Sequence, residues 1–252
     1  MENLKKTLLI ATVMLTAILS LKAQNQMFSI HADYVKPSME SEYLEISKAF
    51  LAECKKHNLQ NADWKTIRLD NGTYLTFEAI SNMAALDVDT FAPLADKMGK
   101  EKFNALFDRY AKCYDKHGSY IVTRIENLSY MPEGAIAAQE DQNYRKYHYI
   151  YVTPDTSKMI AEKMKAIKEL YAKKGSKEYY RVYHSGFGTL GEFFLVAISA
   201  KDEQSYAKQS DVNEALIGAE GKKLLDDLFK NISQYDLVTG YIQSELSYTA
   251  KK

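Results

Sequence analysis

Two histidines 117 residues apart, His31 and His148, are the side chains in this 252-residue chain best suited to move a proton. Imidazole titrates near neutrality, so a positioned histidine can serve as general acid or base. Asp33 follows His31 by two residues, which puts both side chains on one face of a strand and lets the carboxylate orient the ring. The same pattern suits two core histidines satisfied by hydrogen bonds, and the residues alone leave both readings open. His31, Asp33 and His148 also combine two imidazoles with a carboxylate. No HxxxH or HxE spacing ties them together, so no metal is assigned.

The elements that must position these residues come in two similar sets. Val35-Lys36-Pro37 returns as Val152-Thr153-Pro154, Ala79-Ile80-Ser81 as Ala197-Ile198-Ser199, and Leu128-Ser129-Tyr130 as Leu246-Ser247-Tyr248. Offsets of 117, 118 and 118 keep register across each half, so the chain reads as a duplication: residues 24–131, a linker at 132–143, and residues 144–252. In the first half, Phe28 to Val35 alternates as a strand, and Ser38 can cap a helix running to about His57. Trp64–Leu69 and Thr73–Ile80 flank the hairpin signal Asp70-Asn71-Gly72. An amphipathic stripe of Phe103, Leu106, Phe107, Tyr110 and Tyr114 predicts a helix from Lys100 to His117, stopped by Gly118, before a last strand at Tyr120–Asn127. The second half repeats the order, with helices expected at Thr156–Lys173 and Gly221–Ser233 and shorter helical pieces from Glu203 to Ile217. Each half is then β-α-β-β-α-β, a ferredoxin-like unit, and the fold class is α+β.

Such a unit carries both helices on one sheet face and leaves the other bare. Two copies packed sheet to sheet as a pseudo-dimeric barrel would bury both bare faces. Strand alternation then places Ser29, His31, Asp33 and Val35, Tyr74, Thr76 and Glu78, and Tyr120, Val122, Arg124 and Glu126 towards the space between the sheets. From the second half it adds His148, Ile150 and Val152, Glu192, Phe194 and Val196, and Thr239, Tyr241 and Gln243. The ligand-binding set expected there is Trp64, Tyr74, Glu78, Arg124, Tyr183, Glu192 and Tyr241. Cys54 and Cys113 each lie near the C-terminal end of one of two antiparallel helices, too far apart to bridge, so two free buried thiols are expected.

This order of elements, in tandem, resembles the dimeric α+β barrel superfamily, which includes the antibiotic-biosynthesis monooxygenase, NIPSNAP-like and chlorite dismutase-like families. The resemblance covers nearly all of residues 27–250 and rests on element order rather than on a catalytic motif. It implies a barrel with a ligand cavity and activities ranging from cofactor-free oxygenation to haem chemistry. Haem-binding members take an axial histidine from a helix of the C-terminal half, where the helices expected here contain none. The Asn, Trp and His combination of haem-degrading relatives is also not recognisable, and no cofactor is assigned.

The chain's ends and composition narrow the setting. Lys5 and Lys6, the uncharged stretch from Thr7 to Leu21, and Lys22-Ala23-Gln24 read as a signal peptide over residues 1–23. Fifteen residues fall short of the ~20 that span a bilayer, so a periplasmic or secreted protein is expected. A formal net charge of zero offers no footprint for nucleic acid. Gly186-Phe187-Gly188-Thr189-Leu190-Gly191 lies in a hairpin rather than before a helix, and neither a GxSxG elbow nor a CxxC pair occurs. The partners this leaves are a small-molecule ligand and a second copy of the chain. Three functions fit: binding a small, partly apolar molecule between the sheets, cofactor-independent oxygenation or isomerisation with an inward histidine as base, and an envelope interaction module.

Overall fold

The computed structural model describes residues 25–132 and 141–251. The expected signal peptide at 1–23 and most of the expected linker lie outside the described residues. Strands β1 (Gln26–Val35), β2 (Asp63–Leu69), β3 (Thr73–Ile80) and β4 (Tyr114–Arg124) come from the first half, with helices α1 (Glu40–Lys56), α2 (Ala92–Met98) and α3 (Lys100–Cys113). The second half supplies β5 (Tyr144–Val152), α4 (Ser157–Lys174), β6 (Tyr180–Ser185), β7 (Glu192–Ala200), α5 (Glu203–Phe229), β8 (Gln234–Ile242) and the short β9 (Tyr248–Thr249).

Eight antiparallel strands close into a barrel in the order β3-β1-β4-β6-β7-β5-β8-β2, with β2 returning to β3 and β9 added beside β2. The two halves meet through strand edges. Val122 pairs with Ser185 and Arg124 with Tyr183 at one seam, and Ile67 pairs with Ile242 and Leu69 with Gly240 at the other. Closure removes the unpaired edges that each four-stranded sheet would otherwise expose. At the second seam a Cβ on Gly240 would sit 2.4 Å from the Arg68 carbonyl oxygen, so only glycine lets these backbones approach.

The barrel interior is filled by side chains of both halves: Ile30, Ala32, Ile67, Leu69, Leu75 and Val122 against Tyr147, Phe193, Leu195 and Ala197. The helices cover the outside. This packing reverses the expected facing on most strands. Phe28, Ile30 and Ala32 point into the barrel, as do Leu75 and Phe77, whereas His31, Asp33, Thr76 and Glu78 line a cavity outside it. Ile150, Val152 and Phe194 pack under the helices of the second half, while Tyr149, Phe193 and Leu195 turn inward. Tyr120 and Val122 do face the interior as expected. The physical reason is that both strand faces are covered, and on β1 and β3 the more apolar face belongs to the barrel while the helix-covered face keeps the polar groups.

Two helices differ from expectation. α3 ends at Cys113, whose carbonyl accepts from the Lys36 backbone N–H at 2.8 Å, and residues 114–119 join β1 as a strand. His117 and Gly118 are therefore strand residues. Pairing with β1 satisfies a row of backbone groups and overrides the helical stripe that Tyr114 continues. In α5 the pieces expected to be separate run together from Glu203 to Phe229, broken only at Gly218, where φ 56° and ψ −148° make a kink. Asp202 caps its start by accepting from the Ser205 N–H. Cys54 and Cys113 are both free and buried, in different clusters of the core.

Candidate ligand site

The polar groups that chain chemistry singles out gather outside the barrel, between the first half's sheet and its helices. β1 and β4 lie side by side with His31 opposite Ser119 and Asp33 opposite His117. A bulge between Asp33 and Val35 follows at once, and such irregularities re-aim the neighbouring side chains. His31 Nδ1 is 2.8 Å from Ser119 Oγ, and His31 Nε2 is 3.1 Å from Asp33 Oδ1. The other carboxylate oxygen, Asp33 Oδ2, accepts from the Tyr43 hydroxyl at 2.8 Å. α1 delivers that hydroxyl: Tyr43, Ile46, Phe50, Leu51 and Cys54 form its buried stripe, with Glu40 and Glu42 in the first turn and Lys55 and Lys56 in the last, as the helix dipole favours.

A cavity of about 370 Å³ opens beside this chain of hydrogen bonds. Its sheet side holds Ser29, His31, Asp33, Thr76 and Glu78 with Trp64 paired beside Glu78, and Phe50, Phe91, Phe107 and Tyr110 line it from the helices. Phe50 meets Phe91 and Phe107 edge-on, at 5.3 Å and 5.8 Å between centroids, and stacks with Trp64. Trp64 is buried and donates its indole N–H to the Leu246 carbonyl at 3.0 Å. Burial, with the Asp63 charge second, raises the Glu78 pKa, so this carboxyl holds its proton more tightly than an exposed one. Burial and the Asp33 charge push the Tyr43 hydroxyl far above the ordinary phenol value, which keeps it a donor.

The second half encloses a cavity of about 330 Å³ in the corresponding place, lined by His148, Tyr171, Glu178, Tyr206, Phe229 and Tyr235. His148 Nδ1 lies 2.7 Å from the Tyr235 hydroxyl, while His148 Nε2 and Glu178 Oε2 are buried without hydrogen-bond partners among the described residues. Burial, then the Lys146 charge, pushes the His148 pKa down to about 4, so the ring is neutral at physiological pH. Neither α4 nor α5, which wall this cavity, carries a histidine.

The structure accordingly divides the expected site. His31, Asp33, Trp64 and Glu78 come together at the first cavity. His148 belongs to the second, not to a shared chamber. Tyr74 is buried beneath α1, where its hydroxyl donates to Glu40, itself paired with Arg68. Arg124 pairs with Glu126, and Tyr183 packs towards the barrel interior against Phe28. Glu192 accepts from Ser157 and lies 2.8 Å from His184 Nε2, away from the interior. Tyr241 packs on Tyr144 and is exposed. Sequence reasoning missed Tyr43, Ser119 and His117. The cross-strand positions of the latter two are visible only once α3 is known to stop at Cys113.

No family model matches the chain, and no curated protein matches its sequence. Solved structures do. An anthrone oxidase-like protein aligns with a TM-score of 0.55 at 10% identity, covering 91% of this chain and 95% of its own. A proposed monooxygenase of Fusobacterium nucleatum gives 0.53 at 14% identity, over 87% and 93%. A mutant chlorite dismutase of Candidatus Nitrospira defluvii gives 0.52 at 7%, over 89% and 94%. At such identities the likeness is one of fold: the chain is an α+β barrel of the kind found in monooxygenase-like and chlorite dismutase-like proteins.

Proposed function

We propose that this protein binds a small planar molecule, part aromatic and carrying an ionisable phenol or enol, in the cavity under the first half's helices. The observation that carries this reading is the His31–Asp33–Tyr43 chain set against a wall of five aromatic residues. Flat rings fill an apolar slot, and a few convergent polar groups fix the orientation of what enters. The ligand's hydroxyl lies at the polar end of the slot, within hydrogen-bond reach of the His31–Asp33 pair. The barrel interior, packed with side chains, is not the chamber.

Trp64 is the chain's single tryptophan and lines the cavity, so its fluorescence reports occupancy without a label. Ser47 of α1 also lines the cavity. Titration with 4-nitrophenol in the presence of EDTA should quench the fluorescence saturably, and Ser47→Phe, which fills the slot, should abolish the saturable part. Unsaturable quenching, or equal affinity in the blocked variant, would defeat the reading. An enzymatic version, cofactor-independent oxygenation or isomerisation with His31 as base, is favoured by the monooxygenase-like and oxidase-like fold neighbours. In that version His31→Ala abolishes turnover and His148→Ala does not. Two further elements belong to the same proposal. The in-register landmarks and the shared strand order support two copies of one ancestral ferredoxin-like unit, and the charged-then-apolar start of the chain supports export to the periplasm or beyond.

A further inference from the structure

We propose that His31, Asp33 and His117 hold a divalent transition-metal ion at the rim of the first cavity, with Ser119 and Tyr43 as outer partners. The donor atoms come from three residues on two adjacent strands, and they all lie within 4.8 Å of one another. Nitrogen and oxygen ligands sit about 2.0–2.2 Å from such an ion, which places them about 3 to 3.5 Å apart. His31 Nε2 and Asp33 Oδ1, at 3.1 Å, already meet that spacing. His117 is exposed, and among the described residues its side chain makes no hydrogen bond or ion pair, only ring contacts with His31 and Tyr114. With no hydrogen bond to break, a turn of that ring brings the third nitrogen in.

The surroundings fit a ligand set better than an ordinary polar patch. Metal-bound imidazoles have the second ring nitrogen fixed by an outer partner, and Ser119 Oγ sits 2.8 Å from His31 Nδ1. Ligating carboxylates are themselves hydrogen-bonded, as Asp33 is by Tyr43. The set is two imidazoles and one carboxylate, which suits zinc, iron(II) or cobalt(II) and leaves coordination positions open. His31 and Asp33 line the cavity, so an ion between them lies at its edge. Two neutral rings and one carboxylate leave a bound dication with net positive charge, which a phenolate or enolate oxygen would neutralise. In this form the inference rests on the ligand class proposed above; the ion's binding does not.

Cobalt(II) alone separates the two. The metal-stripped full chain is titrated with Co(II), with stoichiometry read by equilibrium dialysis and geometry by visible absorption. We expect one ion per chain and absorption bands of a low-coordinate site. His31→Ala and His117→Ala should each weaken binding by more than about tenfold, the loss that removal of even an outer partner brings, and His148→Ala should leave it unchanged. Asp33→Asn disturbs a buried group, so the exposed His117 provides the variant whose fold is not at stake. Absence of stoichiometric Co(II), or wild-type affinity in His31→Ala or His117→Ala, would overturn the site. Because the 4-nitrophenol titration is run in EDTA, either result can fail while the other stands.

Discussion

His148 should make the protein acid-sensitive, and the size of the effect follows from its surroundings. The ring is pushed down to about 4 by burial and by Lys146, with one nitrogen on Tyr235 and the other unpartnered. In the unfolded chain the same ring titrates near 6.5. Between those values the unfolded state binds the proton and the folded state refuses it, so stability rises with pH across that window and is lost as pH falls through it. Each pH unit is worth about 1.4 kcal/mol, which makes about 3 kcal/mol the ceiling for the whole interval. Glu78 and Glu178 work the other way. Their raised values add stability that is present at acid pH and lost as pH rises through their folded values, so the wild-type profile alone mixes the terms. The difference between wild type and His148→Phe isolates the histidine, since the replacement keeps the ring volume and cannot charge. Urea unfolding at about pH 7 and about pH 4.5 should show wild type losing about 2 kcal/mol more than the variant. Equal losses would mean that the ring is solvated in the folded state, and the burial argument would be wrong.

Other predictions concern the frame of the site. Gly240→Ala should cost more than about 2 kcal/mol in urea unfolding, because its Cβ would meet the Arg68 carbonyl at the seam that closes the barrel; a loss under a few tenths would show that the seam is loose. Glu40→Ala removes the acceptor of both Arg68 and Tyr74 and should cost about 1 kcal/mol, read the same way. Cys54 and Cys113 are buried and unpaired, and burial pushes the Cys54 thiol up to about 12. Ellman's reagent should therefore titrate no thiol in the native protein and two after denaturation; a missing second thiol after unfolding without reductant would reveal a disulfide.

Much of the frame was legible because it rests on local rules. The Asp70-Asn71-Gly72 turn, the alternation along β1 and the acidic start of α1 each follow from backbone chemistry within a few residues. The facing of the strands was not legible. Along β1, Ile30 and Ala32 are buried in the barrel while Asp33 and Val35 are buried under α1, so both faces are covered and alternation cannot say which is which. Alternation alone assigns the apolar face of β1 to the helices, and it belongs to the interior. His117 was hidden for a different reason. Tyr114 continues the stripe of Phe107 and Tyr110 at helical spacing, and only pairing with a strand some eighty residues earlier ends that helix. His31 and Asp33 were found because their spacing of two survives either choice of face.

The account turns on a polar-floored, ring-walled cavity outside the barrel, and a crystal structure grown with 4-nitrophenol tests it most directly. The ring should lie among Phe50, Trp64, Phe91 and Phe107 with its hydroxyl within hydrogen-bond distance of His31. Density for the ring inside the barrel, or only beside His148, would contradict it.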